Sequence, residues 1–334
     1  MRMDNDQDNI SLSADISTFE SLPDELILDI LEYLSVVDLY KIFYPLNERF
    51  RIVLNSLTHL HGEAIFSDDL LNDSFKFFSN RIRTLTLNHS EIFKIPSALN
   101  SVRSLRLNRE PNRGQCEIFC GFSALESLVV VNHSMGQVYY SISLPHFVFN
   151  NFYPRLSNCQ MNLIPYRQCP NWSKVFSLRR LIVRFENLCV WTQILDACPS
   201  LITLKIELRR IYGQPNHRFD DVSHESLRHL EIHFKETMSC SFHILDLILS
   251  TVPNVTHLVV RDSQTMSIFT LSSLLKTRLN KLVRFYFEMV MIESVELENL
   301  NEYYRSIKEL HSCFNSIRVL SSSRSSPPRL IIQS

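Results

Sequence analysis

Glycine is scarce in this chain, with five residues among 334, at positions 62, 114, 121, 136 and 213. Neither a phosphate-cradling GxxxxGK loop nor a GxGxxG dinucleotide turn can be built from those positions, so nucleotide-dependent chemistry is disfavoured. GxSxG and HExxH are also absent, which removes the common hydrolase and metalloprotease signatures and leaves no support for an enzyme, a cofactor or a catalytic residue. The eight cysteines lack CxxC spacing: the closest pairs, Cys116 with Cys120 and Cys189 with Cys198, suit buried free thiols better than zinc or redox sites. Charge of one sign is missing too. Thirty-four Lys and Arg stand against 35 Asp and Glu, so bulk attraction to nucleic acid or anionic lipid is not expected. No apolar run is long enough to cross a bilayer; Phe242 to Val252, for example, is interrupted by His243 and Asp246. The opening residues carry Asp4, Asp6, Asp8 and Asp15 and lack the basic-then-apolar order of a secretory signal. The expected compartment is the cytoplasm, the nucleus or both, and residues 1–17 read as a disordered acidic N-terminus.

What is present begins with a short helical module at residues 18–57. Ser21, three residues before Asp24, predicts a helix start, and Leu26, Ile27, Ile30, Leu31 and Leu34 give that helix an apolar face too broad for one neighbour. Ser35 and Asp38 repeat the cap signature, predicting a second helix of about nine residues with Leu39, Ile42 and Phe43 inward, ended by Pro45. A third helix is expected from near Asn47, closing over the others with Phe50, Val53, Leu54 and Leu57. Three short helices make a marginal core alone, which implies a partner.

Leu22-Pro23-Asp24-Glu25-Leu26, followed by Ile30-Leu31-x-Tyr33-Leu34 and Asp38-Leu39, resembles the F-box pattern over some forty residues. The resemblance implies docking to the Skp-type adaptor of a cullin-RING ubiquitin ligase. It assigns the contact to Leu22, Pro23, Leu26, Ile27, Ile30, Leu31, Leu34 and Leu39. The chain departs from the family where a Val-Ser-x-Arg-Trp stretch is common. Here Pro45-Leu46-Asn47-Glu48-Arg49-Phe50 keeps only the Arg-aromatic pair.

From residue 81 to 320 an apolar-x-x-apolar-x-apolar pattern recurs. It reads Ile82/Leu85/Leu87, Val102/Leu105/Leu107, Leu125/Leu128/Val130, a weaker Leu156/Cys159/Met161, Leu178/Leu181/Val183, Leu201/Leu204/Ile206, Leu227/Leu230/Ile232, Val255/Leu258/Val260 and Leu282/Phe285/Phe287. Its anchor moves from Leu85 to Phe285 in eight steps averaging 25 residues, inside the leucine-rich repeat range. Helical signals at 191–197, 242–251 and 271–276 precede later strands, so each unit reads as helix, proline, strand. Stacked units predict an α/β solenoid, an irregular horseshoe with a parallel sheet. The array resembles the F-box leucine-rich-repeat class in architecture, although Ser90, Glu110 and Glu186 stand where a repeat Asn or Cys is usual. Residues 58–80 read as a capping or linking helix carrying Leu70, Leu71, Phe75 and Phe78. Residues 303–310 suggest another helix, Ile317 and Leu320 a degenerate closing repeat, and residues 321–334 a flexible tail.

Strand alternation turns the residues between the repeat leucines toward the concave side. Early repeats offer Thr84, Thr86, Ser104, Arg106, Ser127 and Val129. Later ones offer Arg180, Arg184, Lys205, His229, His233, His257, Arg261, Arg284 and Tyr286, a set suited to an acidic or phosphorylated client. Glu207, Glu231 and Glu288 are interleaved with these cations and can instead pair with them across strands. His217, Asp220, Asp221 and His224 mix plausible metal ligands without a spacing that demands an ion, and read as a solvated loop with no metal. The expectation is therefore a non-catalytic substrate receptor of a Skp-cullin-F-box ligase. The alternative is a leucine-rich scaffold or inhibitor uncoupled from ubiquitination.

Overall fold

The computed structural model describes residues 19–64, 69–87, 99–109, 111, 116–117, 119–131, 143–164, 172–185, 187–208, 222–235, 241–262, 268–290, 316–320 and 329–333. Helix α1 (Asp24–Leu31) starts after Pro23, with no side-chain cap. A short 3₁₀ turn at Phe19–Ser21 precedes it, and Asp24 and Glu25 complement the exposed amides of the first turn. Ser35 does cap α2 (Val36–Asp38), accepting from the Asp38 amide at 3.1 Å, and the chain runs on as a π-helical turn over Leu39–Phe43. That wider turn leaves Ile42 half exposed instead of inward. Asn47 caps α3 (Glu48–Ser56) through the Phe50 amide, and Phe50, Val53, Leu54 and Leu57 are buried as expected.

The segment read as a linking helix holds both a strand and a helix: β1 (Leu60–Ala64) and α4 (Asp69–Phe77). The sheet therefore begins at Leu60, twenty-odd residues earlier than the repeat pattern indicates. The cause is visible in the sequence, since His61-Gly62-Glu63 lacks the alternating apolar residues that mark later strands. Parallel strands follow in chain order: β2 (Ile82–Leu87), β3 (Ser104–Leu107), β4 (Ser127–Val130), β5 (Asn158–Ile164), β6 (Arg180–Phe185), β7 (Thr203–Leu208), β8 (His229–Phe234), β9 (His257–Asp262) and β10 (Arg284–Val290). Helices α5 (Ser143–Phe149), α6 (Leu188–Ala197), α7 (Ser241–Ser250) and α8 (Ile268–Arg278) lie in the connections. α6 and α8 start three residues before the sequence signal; at α6 the reason is Asn187, whose side chain takes the Cys189 amide at 2.7 Å.

The result is a mixed α/β, solenoid-like arrangement in which each strand pairs with the next. All nine apolar triads in the repeats are buried. Just before each strand, one amide bonds to the carbonyl at the same phase of the preceding unit. The series runs Arg103 to Arg83, Glu126 to Arg103, Ser157 to Glu126, Arg179 to Ser157, Ile202 to Arg179, Arg228 to Ile202, Thr256 to Arg228 and Val283 to Thr256. Connections of different length are thereby held to one register.

The far end departs from expectation. Strand β11 (Ser316–Leu320) matches the closing repeat in position, but the order at this edge is β10-β12-β11 and both new pairings are antiparallel. β12 is Arg329–Gln333, so this part of the tail read as flexible is sheet. Its five residues, Arg-Leu-Ile-Ile-Gln, fit a strand, but the Ser- and Pro-rich stretch before them masks that signal. Residues 1–17, 303–310 and 321–328 lie outside the described residues.

Candidate functional surfaces

Two surfaces offer binding chemistry. The first is the outer face of the helical module. Ile27, Leu31 and Leu39 are fully buried in the core, Leu22 and Leu34 are half-buried, and Pro23, Leu26 and Ile30 are exposed. The residues singled out for adaptor contact thus divide: Ile27, Leu31 and Leu39 hold the module together and have no free surface. Leu26 and Ile30, 49% and 43% exposed, lie one turn apart on α1, and Tyr33, 91% exposed, stands in the turn that follows the helix. Tyr33 was legible as part of the motif but carried no assigned contact.

Arg49 and Phe50, the retained Arg-aromatic pair, position that surface. Arg49 Nη2 lies 2.7 Å from Asp24 Oδ1 and donates to the Leu22 carbonyl at 2.6 Å, while Nη1 reaches the Glu20 carbonyl. Phe50 stacks on Phe19 with centroids 5.9 Å apart and tilts against Phe43 at 5.6 Å. The Leu-Pro-Asp start is thereby tied to α3, 25 residues away. Further on, Tyr44 and Tyr40 pack on Phe77 of α4 at 4.8 and 5.8 Å, and Arg81 donates to the Leu54 carbonyl and to Asn55 Oδ1. Helical module and sheet share one core.

The second surface is the polar face of the sheet. Strand register aligns its side chains in rows. One row runs through Thr84, Ser104, Ser127 and Asn158 into Arg180, Thr203, His229, His257 and Arg284, with no carboxylate along it. Two and four residues further along the strands, the next two rows hold the acids. Arg184 Nε is 2.7 Å from Glu207 Oε1, and Lys235 is 3.7 Å from the same carboxylate. Glu231 gathers Lys205 at 3.0 Å, His233 at 2.7 Å and Arg261 at 3.7 Å. Arg261 also reaches Glu288 at 3.6 Å and lies over the Tyr286 ring, whose hydroxyl donates to Glu288. The His233 hydrogen bond, with Lys205 beside it, holds the Glu231 carboxyl down at about 2.

The cation set anticipated from sequence is therefore split. Arg184, Lys205, His233, Arg261 and Tyr286 are engaged within the sheet. Arg180, His229 and Arg284 are exposed and His257 half-buried, with no carboxylate partner among the described residues. His224 is buried: its Nδ1 accepts from the Leu227 amide and its Nε2 lies 2.8 Å from the Cys198 carbonyl, so both ring nitrogens serve the backbone. His217, Asp220 and Asp221 lie outside the described residues. No group of three metal-ligating side chains occurs among the described residues, and no described helix is long and apolar enough to cross a membrane.

The fold and these surfaces define a mixed α/β protein built on a mostly parallel, sequentially ordered sheet. No family model matches the chain, and no curated protein is found similar to it.

Proposed function

We propose that this protein is a substrate receptor of a Skp-cullin-F-box type ubiquitin ligase, its helical module an F-box and its sheet the inner face of a leucine-rich-repeat horseshoe. The carrying observation is the two-sided α1. Ile27 and Leu31 close the core, while Leu26 and Ile30 on the helix, with Tyr33 in the turn after it, present apolar surface to solvent from the end of a Leu-Pro-Asp-Glu-Leu motif onward. An exposed apolar surface rimmed by polar residues favours a protein partner. The shared core supports the reading further, because a receptor contributes by holding its client at a fixed distance from the transferring subunits.

Co-expression with a Skp-type adaptor, followed by size-exclusion chromatography, tests it. A one-to-one complex is expected for the wild type and its loss for Leu26→Asp with Ile30→Asp, with the helical circular dichroism unchanged. Failure of the wild type to form a complex, or a double variant that still elutes with the adaptor, overturns the proposal. In that event the continuity of Leu54, Leu57 and Leu60 with Phe78 and Ile82 favours a scaffold whose N-terminal helices merely cap the sheet. Client abundance would then stay constant when the protein is depleted.

A further inference from the structure

The polar row on β6 to β10 differs in kind from its neighbours. Arg180, Thr203, His229, His257 and Arg284 stand side by side on five parallel strands, and the described acids on this face of β6 to β10, Glu207, Glu231 and Glu288, lie in the two rows that follow. Those acids are already compensated by Arg184, Lys205, Lys235, Arg261 and His233. Among the described residues, therefore, no carboxylate compensates the two arginines of the row. The two imidazoles between them are stacked, centroids 4.3 Å apart and planes within 6°. We infer that this row binds an acidic stretch of polypeptide laid across the strands, its carboxylates received by Arg180, His229, His257 and Arg284. The inference rests on the reading of this face as the client surface and names the client's chemistry.

Spacing favours carboxylates over phosphate. Four steps between strands of about 4.8 Å spread the donors over roughly 19 Å. A phosphate group needs several donors converging on one point, whereas single donors set out in a line match charges carried along a chain. About six residues of extended peptide cover that length, and three of their side chains face the sheet.

His257, stacked on His229, makes the site sensitive to pH. Around them stand Lys205 and Glu231 on the flanking row, Arg284 and Tyr286 on β10, and the Thr256 hydroxyl 2.9 Å from His257 Nδ1. Burial, then His229, then Arg284 pushes the His257 imidazole below its ordinary range, so in the empty protein it is mostly neutral at pH 7. Glu231, held at about 2, stays ionised throughout. As pH falls through the histidine range His257 gains a proton, while Asp and Glu of a ligand remain charged down to about pH 4. A bound carboxylate beside it favours the protonated ring, so affinity rises as pH falls.

The test uses the full chain and three fluorescein-labelled ten-residue peptides: one with six consecutive Glu, one with Gln in their place, and one with a single phosphoserine among Gln. Anisotropy titrations at pH 7.5 and 6.0, at fixed low ionic strength, should show binding of the Glu peptide only, about fivefold or more tighter at pH 6.0. Arg180→Gln with Arg284→Gln should weaken it about tenfold. His257→Gln should abolish the pH dependence, and Lys276→Gln on α8 should change nothing. Equal binding of the Gln peptide, retention of affinity in the double arginine variant, or preference for the phosphoserine peptide each overturns the inference. No adaptor is involved, so the outcome is independent of whether the ligase complex forms.

Discussion

Gly62 lies in β1 beneath α4, where an added Cβ would stand 2.8 Å from Phe75 Cε1 and 3.3 Å from Leu85 Cδ1. Phe75 is itself buried, so it has little room to retreat. Gly62→Ala should therefore lower stability by about 1–3 kcal/mol in urea unfolding, and a change within error would show that the ring moves freely. Glu231 illustrates the same dependence on neighbours for charge. Its folded pKa is lowered from 4.5 to about 2, so its contribution to stability is complete above about pH 4.5 and is lost as pH falls toward 2. Glu231→Gln should cost about 1–2 kcal/mol at neutral pH and flatten the acid limb of the stability curve between pH 4.5 and 2. An unaltered acid limb would place the loss elsewhere. The Gly62 effect could not be assigned from sequence, because Phe75 is 13 residues away; at Glu231 the main partner, His233, is two residues along the same strand, and only the sheet brings in Lys205, 26 residues away.

Elements formed where local chemistry was unambiguous. Ser35 and Asn47 cap their helices as their side chains dictate, and Asn187 moves the start of α6 forward. Helix α5 gave no clear signal because Pro145 sits in it. The proline falls in the first turn, where its missing amide costs nothing, and Asn151 ends the helix in the left-handed region at φ 59°. Within α1, position decides consequence. Ile27→Ala should destabilise by about 2–4 kcal/mol, whereas Ile30→Ala, on the exposed face, should change stability by less than about 0.5 kcal/mol and act on partner binding instead. Comparable losses at both positions in thermal unfolding would mean that this face is also core.

At the scale of the whole molecule, the closing hairpin protects a sheet that would otherwise end on β10. Phe285 and Phe287 are buried there, and β12 pairs with Tyr286–Val290 along its length. A chain ending at residue 315 would leave β10 as an unpaired parallel edge and should aggregate at concentrations where the full chain is monomeric, as light scattering would record. The helical module plays the corresponding part at the other end through its contact with β1 and α4. The strands β2 to β10 and the three N-terminal helices were legible in the amino-acid sequence, because alternation, spacing and capping are local and each unit carries its own apolar triad. Tertiary structure alone decided that Leu60–Ala64 is a strand, that Arg329–Gln333 enters the sheet ahead of Ser316–Leu320, and that only part of the apolar motif remains exposed. It alone sorted the cations into rows with and without a carboxylate partner among the described residues. Those outcomes depend on which residues of distant repeats come into register, and register is set by the stacking of the units.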